Sequence, residues 1–163
     1  MTITLDSPRP SDSAALFEWI NYAETVRFNA PYRPVALSDH EAWFAGLNRD
    51  SSRVFFAIRN DQDLIGSLQL VDIQPTHQTA ELIVRIGSHG QRGKGFGTEA
   101  LKLAVAFAFA DLNLQRVWLR VFADNARAIA AYKKAGFTEE GIMRRAAWIN
   151  GAWVDEVVMA VLR

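Results

Sequence analysis

Arg92-Gly93-Lys94-Gly95-Phe96-Gly97-Thr98 lies between a strand-like run, Ala80-Glu81-Leu82-Ile83-Val84-Arg85-Ile86, and a helical run rich in Ala, Leu and Phe. Glycines at alternate positions let the backbone turn tightly and approach a ligand closely. A helix that starts directly afterwards presents unpaired N–H groups and the positive end of its dipole, which together bind phosphate. Arg92 and Lys94 add positive charge at the same place. Strand, cationic glycine loop and helix in that order make a candidate diphosphate site. Two other phosphate motifs compete for this stretch. A Walker A loop needs a hydroxyl residue after Gly-Lys, and here Gly95 follows Gly93-Lys94. Gly95-Phe96-Gly97-Thr98-Glu99-Ala100 does satisfy the dinucleotide fingerprint, with Asp124 downstream. Too little chain follows it, however, to complete a doubly wound domain.

The neighbouring segments place that loop in a larger pattern. Ile3-Thr4-Leu5 reads as a short strand, and Pro8-Arg9-Pro10 breaks it. Ser11 or Asp12 can cap a helix reaching about Tyr22 with Leu16, Trp19 and Ile20 on one face. Phe28 to Leu37 is a loop containing proline and aromatic residues. Ser38 with Glu41 reads as a capping box opening a second helix that groups Trp43, Phe44 and Leu47. Val54 to Ile58 and Leu64 to Ile73 are strands joined by the Asn60–Asp63 turn. Beyond the loop come a helix from Thr98 to Leu112 and a strand from Gln115 to Phe122. A helix capped by Asn125 follows and stops at Gly136. Phe137 to Ile149 and Trp153 to Leu162 close as a hairpin on Asn150-Gly151, the strongest short hairpin signal. The early strands are expected to be antiparallel, and the strand–helix–strand piece around the loop parallel. The fold class is α+β with a mixed sheet.

Composition narrows the function classes. The chain has 163 residues, half of them hydrophobic, with 18 basic and 18 acidic side chains and no cysteine. That is enough to bury a core in one domain, taken as residues 1–163. It leaves no basic field for general nucleic-acid binding and no thiol for a nucleophile, disulfide or metal site. The N-terminus lacks the pattern of a secretory signal, and no apolar run approaches a membrane span. The expectation is a cytoplasmic protein with no nucleic-acid or membrane partner. A homodimer through sheet edges or the aromatic C-terminal hairpin is compatible with the sequence.

Two motifs then coincide. Arg92-x-x-Gly95-x-Gly97 fits the pattern [RQ]-x-x-G-x-[GA], and downstream stands Asn125-x-x-Ala128-x-x-x-Tyr132-x-x-x-Gly136-Phe137. Together they closely resemble the GNAT superfamily of acetyl-CoA-dependent N-acetyltransferases. The likeness runs from about Val54 to the C-terminus. Leu112-Asn113-Leu114, Glu139-Glu140-Gly141 and Ile149-Asn150-Gly151 resemble the branch holding ribosomal-protein N-terminal acetyltransferases and spermidine acetyltransferases.

The resemblance implies a mostly antiparallel sheet with a splayed parallel strand pair that receives acetyl-CoA. It implies that the backbone N–H groups of Arg92, Gly93, Lys94, Gly95, Phe96, Gly97 and Thr98 hold the pyrophosphate. Val84, Arg85 and Ile86 would pair with the pantetheine arm through their backbone, and Asn125 and Ala128 would touch it from the next strand–helix junction. The implied reaction is direct attack of a primary amine on the thioester. Tyr132 would be the general acid for the departing thiolate, since tyrosine and thiol pKa values are close enough to share a proton.

Each assignment has a plainer counterpart. Tyr132 could be an amphipathic core residue. Glu81, a candidate base for the incoming ammonium, could sit in an ordinary salt bridge. Alternation puts Glu81, Ile83 and Arg85 on one strand face and Leu82, Val84 and Ile86 on the other. If the latter face packs on the core, Glu81 faces the possible cleft. Asn125 could cap its helix with or without a ligand, and Thr98 could cap or donate to phosphate. Phe28, Tyr32 and Trp43 could shape an acceptor pocket or merely pack. His89 stands near the loop as a lone histidine. His40 and His77 lack partners at metal-ligand spacing, so no metal is expected. Arg144 and Arg145 read as a solvated face. Spermidine acetyltransferases carry acidic residues around the first loop, whereas Phe28-Asn29-Ala30-Pro31-Tyr32-Arg33-Pro34 has none. An N-terminal peptide amine or a small amine is therefore the expected acceptor. A catalytically silent acyl-CoA-binding module of the same fold is the alternative.

Overall fold

The structure is a computed structural model and describes residues 2–87, 90 and 92–163; His89 lies outside the described residues. Among the described residues, seven strands form one sheet: β1 (Ile3–Asp6), β2 (Val54–Asn60), β3 (Asp63–Gln74), β4 (Thr79–Ile86), β5 (Arg116–Phe122), β6 (Thr138–Ile149) and β7 (Ala152–Leu162). Their order is β1-β2-β3-β4-β5-β7-β6. Every neighbouring pair is antiparallel except β4 and β5. This is the α+β mixed sheet that the pattern predicts.

Among the described residues, five α-helices flank the sheet, α1 (Ser13–Ile20), α2 (Ala23–Val26), α3 (Leu37–Gly46), α4 (Phe96–Ala110) and α5 (Ala126–Lys134), and a 3-10 turn (Pro10–Asp12) leads into α1. Strand alternation decides which residue meets which helix. Phe56, Leu68, Leu70 and Leu82 face α4 and α5. Small residues line the buried side of α4, Ala100, Ala104 and Ala108, so the helix seats closely on the strands. Phe55 points the other way, into a second cluster with Leu16, Trp19, Trp43, Phe44 and Leu47 from α1, α3 and the turn after it. The expected grouping of Trp43, Phe44 and Leu47 is present.

Several element ends differ from the sequence reading. The first helix does not run through to Tyr22. It ends at Ile20, and α2 begins at Ala23. Asn21 explains the break, because its amide donates to the Phe17 and Val35 carbonyls while its Oδ1 accepts from Val35 N at 2.8 Å. Asp12 does not cap α1 with its side chain. Its carboxylate instead accepts from Arg9 N and pairs with the buried Arg59 at 2.6 Å. The capping box at Ser38 and Glu41 is not formed, since α3 starts one residue earlier behind Ala36. Helix α4 also starts earlier, at Phe96 behind Gly95. The Asn150-Gly151 turn holds both residues at positive φ, 51° and 79°, as a two-residue hairpin requires.

Candidate active site

The site begins with a failure of strand pairing. β4 and β5 pair over only three positions, Thr79↔Arg116, Ala80↔Val117 and Glu81↔Trp118. β4 nevertheless continues to Ile86 and β5 to Phe122. Beyond Glu81 the two strands part, and a cleft of about 520 Å³ opens between them. It falls within the size range of small-molecule sites. Leu82 to Ile86 form one wall, Val121 and Phe122 another, and the start of α4 and one face of α5 close it.

At the wide end, Gly93 and Gly95 have φ of 80° and 86°. A Cβ at either would meet nothing within 4 Å, so backbone conformation and not crowding requires glycine there. Gly95 is the residue before α4, and no side chain caps the helix start. The first-turn N–H groups are thus left for a ligand rather than for the protein. The Arg92 side chain does something the motif reading did not assign to it. Its Nε donates to the Ile86 carbonyl at 3.2 Å and its Nη2 to Thr25 Oγ1 at 2.9 Å, bracing the loop against β4 and α2. The guanidinium also lies 5.9 Å from the Phe28 ring. Arg127 and Lys134 join Arg92 on the cleft wall, and repulsion from Arg127 adds to partial burial in lowering the Arg92 pKa.

Asn125 accepts from Ala128 N at 3.2 Å and so caps α5, and both residues line the cleft. Tyr132 sits one helical face on, 8% exposed, with its ring edge-on to Phe137 at 6.0 Å. Its hydroxyl has no hydrogen-bond partner among the described residues, and the residue lines the cleft. Burial pushes its pKa up to about 12. The phenol is therefore protonated throughout the physiological range, the state a proton donor needs.

Near the narrow end, Glu81 is both things the sequence allowed: ion-paired and in the cleft. Arg120 Nε stands 3.0 Å from its carboxylate, and Arg120 Nη1 stands 3.7 Å from Glu156. Glu81 and Glu156 are only 15% and 13% exposed. All three residues line the cleft. Leu82 packs on the core while Glu81 points to the opposite face, as the alternation argument requires.

The structure brings together Glu81, Val84, Arg85, Ile86, Arg92, Gly93, Gly95, Phe96, Gly97, Thr98, Asn125, Ala128, Tyr132 and Phe28 around one cleft. It does not bring Tyr32 or Trp43 there. Tyr32 lies under the Arg27 guanidinium, and Trp43 packs on Phe55 and His40 in the second cluster. His40 is buried and bonded to Ser13. The sequence reading missed Arg120, Arg127 and Glu156. No short-range signal gave Glu156, because its place opposite Phe122 is set by the long-range pairing of β5 with β7, while the Asn-Gly hairpin fixes only its partner Met143 on β6. The dinucleotide alternative fails on topology, because a doubly wound sheet is mostly parallel and here only β4 and β5 are.

The residues fit acetyl-CoA: an uncapped helix start behind a glycine loop for phosphates, cations at the mouth, and a strand edge without a strand partner for the amide-bearing arm. Comparison with known proteins agrees. The model of the acetyltransferase (GNAT) domain family matches residues 2–138. Spermidine N(1)-acetyltransferase of Escherichia coli (strain K12) is 34% identical over 146 residues, 88% of this chain and 76% of that protein. A putative ribosomal N-acetyltransferase of Bacillus subtilis (strain 168) is 27% identical over 172 residues, 100% of this chain and 91% of that protein. The crystal structure of spermidine N-acetyltransferase from Vibrio cholerae in complex with CoA and spermine superposes with a TM-score of 0.90 at 27% identity. The match covers 98% of this chain and 95% of that one.

Proposed function

This chain belongs to the GNAT acetyltransferase family and transfers acetyl from acetyl-CoA to an amine, and on that premise we propose roles for its cleft residues and a class of acceptor. Acetyl-CoA supplies the activated thioester. The first-turn N–H groups of α4 and the backbone of Arg92 to Thr98 hold the pyrophosphate. The free edge of Val84 to Ile86 and the Asn125–Ala128 corner hold the pantetheine arm. Glu81 takes the proton of the incoming ammonium, directly or through water, and Arg120 fixes its carboxylate. Tyr132 gives its proton to the leaving sulfur. The observation that carries this reading is that a buried tyrosine and a shielded carboxylate line one and the same cleft. Residues 1–163 act as one such domain.

The acceptor is a small molecule or peptide terminus bearing a single cationic amine. Relatives act, by name, on spermidine, and the cleft does hold two carboxylates outside the first loop. Arg120 lies within 4 Å of both, however, and the first loop, Phe28 to Pro34, adds Arg33 and no carboxylate. A polycation needs more uncompensated negative charge than that. The test is thiol release from acetyl-CoA with matched panels of polyamines, amino acids, amino sugars and short peptides. A spermidine kcat/KM above that of every monoamine would refute this assignment while leaving the reaction intact. No helix of the described residues is long and apolar enough to cross a membrane. We place the enzyme in the cytoplasm and propose that it self-associates through the β6–β7 hairpin. Support comes from the exposure of Ile142 (63%) and Trp153 (57%) there, and sedimentation of the Trp153→Ser variant tests it.

A further inference from the structure

A second cavity, of about 380 Å³, lies between α1, α3 and the sheet face opposite α4. Trp19, Trp43 and Phe55 give it apolar walls, and Ser67, Gln69 and Arg85 give it one polar side. Arg85 is the unusual member. Its guanidinium makes no hydrogen bond or ion pair with any described residue, and its Nε is fully buried without a partner. Arg53 Nε, also lining the cavity, is in the same condition. Asp39 reaches the rim but pairs with neither arginine. The burial lowers the Arg85 pKa. Both arginine side chains are half-buried, and drawing a cation even partly out of water without pairing it is unfavourable. Elsewhere this fold avoids that cost: Arg59, 3% exposed, is matched by both Asp6 and Asp12. An apolar cavity with a few convergent polar groups is the usual form of a small-molecule site.

We propose that this cavity binds a small organic carboxylate with an aromatic or branched aliphatic body, the carboxylate pairing with the Arg85 guanidinium. The cavity shares Thr25 and Arg85 with the cleft. Arg85 and Glu81 lie on one strand face about 13 Å apart. The carboxylate can therefore belong to the acceptor itself, with its amine turned toward Glu81, or to a separate effector. The site is read by binding, so it stands or falls independently of the acetyl-transfer roles proposed above.

The test titrates the full chain with phenylacetate and isovalerate, and with phenylacetamide and isovaleramide as uncharged controls. Calorimetry and the fluorescence of the lining tryptophans report binding. The expected result is saturable binding of at least one carboxylate, with the matching amide weaker about tenfold or more. Arg85→Met weakens the carboxylate to the level of the amide. Ser67→Phe, which fills the cavity, abolishes binding while coenzyme A affinity, measured in parallel, reports that the variant is folded. Competition between the carboxylate and the amine acceptor assigns the site to the acceptor, and non-competitive behaviour assigns it to an effector; either supports the site. Absence of saturable binding to the wild type overturns the proposal. So does equal binding of acid and amide, or binding that both variants leave unchanged.

Discussion

Replacing Tyr132 with Phe removes one hydroxyl from a ring that is 8% exposed and leaves its packing on Phe137 intact. Two consequences can be separated. For catalysis, loss of a positioned proton donor lowers kcat by about a hundredfold or more. Coenzyme A affinity should not change, because the proton is needed only as the sulfur leaves. For stability, the folded-state pKa of about 12 exceeds the ordinary tyrosine value of 10.0. A raised folded-state value means that the stabilisation is complete below the unfolded pKa and is lost as pH climbs through the folded one. The shift corresponds to about 3 kcal/mol lost between those two values. Wild type should therefore lose more stability than Tyr132→Phe when denaturant unfolding is moved from neutral to strongly alkaline pH. Every other side chain is common to both proteins, so the difference isolates this residue. The assay is thiol release from acetyl-CoA at saturating amine, beside calorimetric titration of coenzyme A. An unchanged kcat would mean that the thiolate departs without help from Tyr132. Equal alkaline losses would mean that the hydroxyl is hydrated in the folded protein.

Glu81→Gln should lower kcat/KM for the amine most at neutral pH and least at high pH, where free amine is abundant; a pH–rate profile parallel to wild type would remove Glu81 as the base. Gly95→Ala forces a Cβ into φ of 86°, a strain of roughly 1–2 kcal/mol, and should weaken coenzyme A binding together with thermal stability. An undisturbed binding isotherm would show that the loop backbone does not carry the phosphates. Asp12→Ala leaves the 3%-exposed Arg59 with only its partner Asp6, and should cost about 3 kcal/mol in urea unfolding with no change in KM for acetyl-CoA.

The backbone geometry of the glycine loop and the cap of α5 was legible because it is local. Gly93, Gly95, Asn125 and Tyr132 are fixed within a few residues by φ, capping and helical spacing, and the sequence places them correctly. The rest of the cleft and the α1–α3 side of the sheet were not, because their geometry depends on distant pairings. Asn21 ends α1 by bonding Val35, which no short-range pattern encodes. Ser38 and Glu41 have the spacing of a capping box, yet the helix opens at Leu37 and the box is bypassed. Trp43 is close to the loop in sequence but faces the second cluster, since α3 lays that side on Phe55. Arg120 and Glu156 meet only after β5, β7 and β4 are set side by side, and the isolation of Arg85 emerges only once α1 and α3 cover its strand face.

The parting of β4 from β5 after Glu81 has a consequence for how long the protein survives. A sheet with a gap at its centre is an incomplete cooperative unit, and whatever occupies the gap adds its binding free energy to that of folding. At a hundredfold excess over its dissociation constant a ligand contributes about 2.7 kcal/mol, a large part of the stability of an ordinary domain. A cell rich in acetyl-CoA should then hold this chain closed against proteases, and a starved one should let it open. With the acetyl donor seated in this gap as proposed, the enzyme's abundance would become a gauge of donor supply.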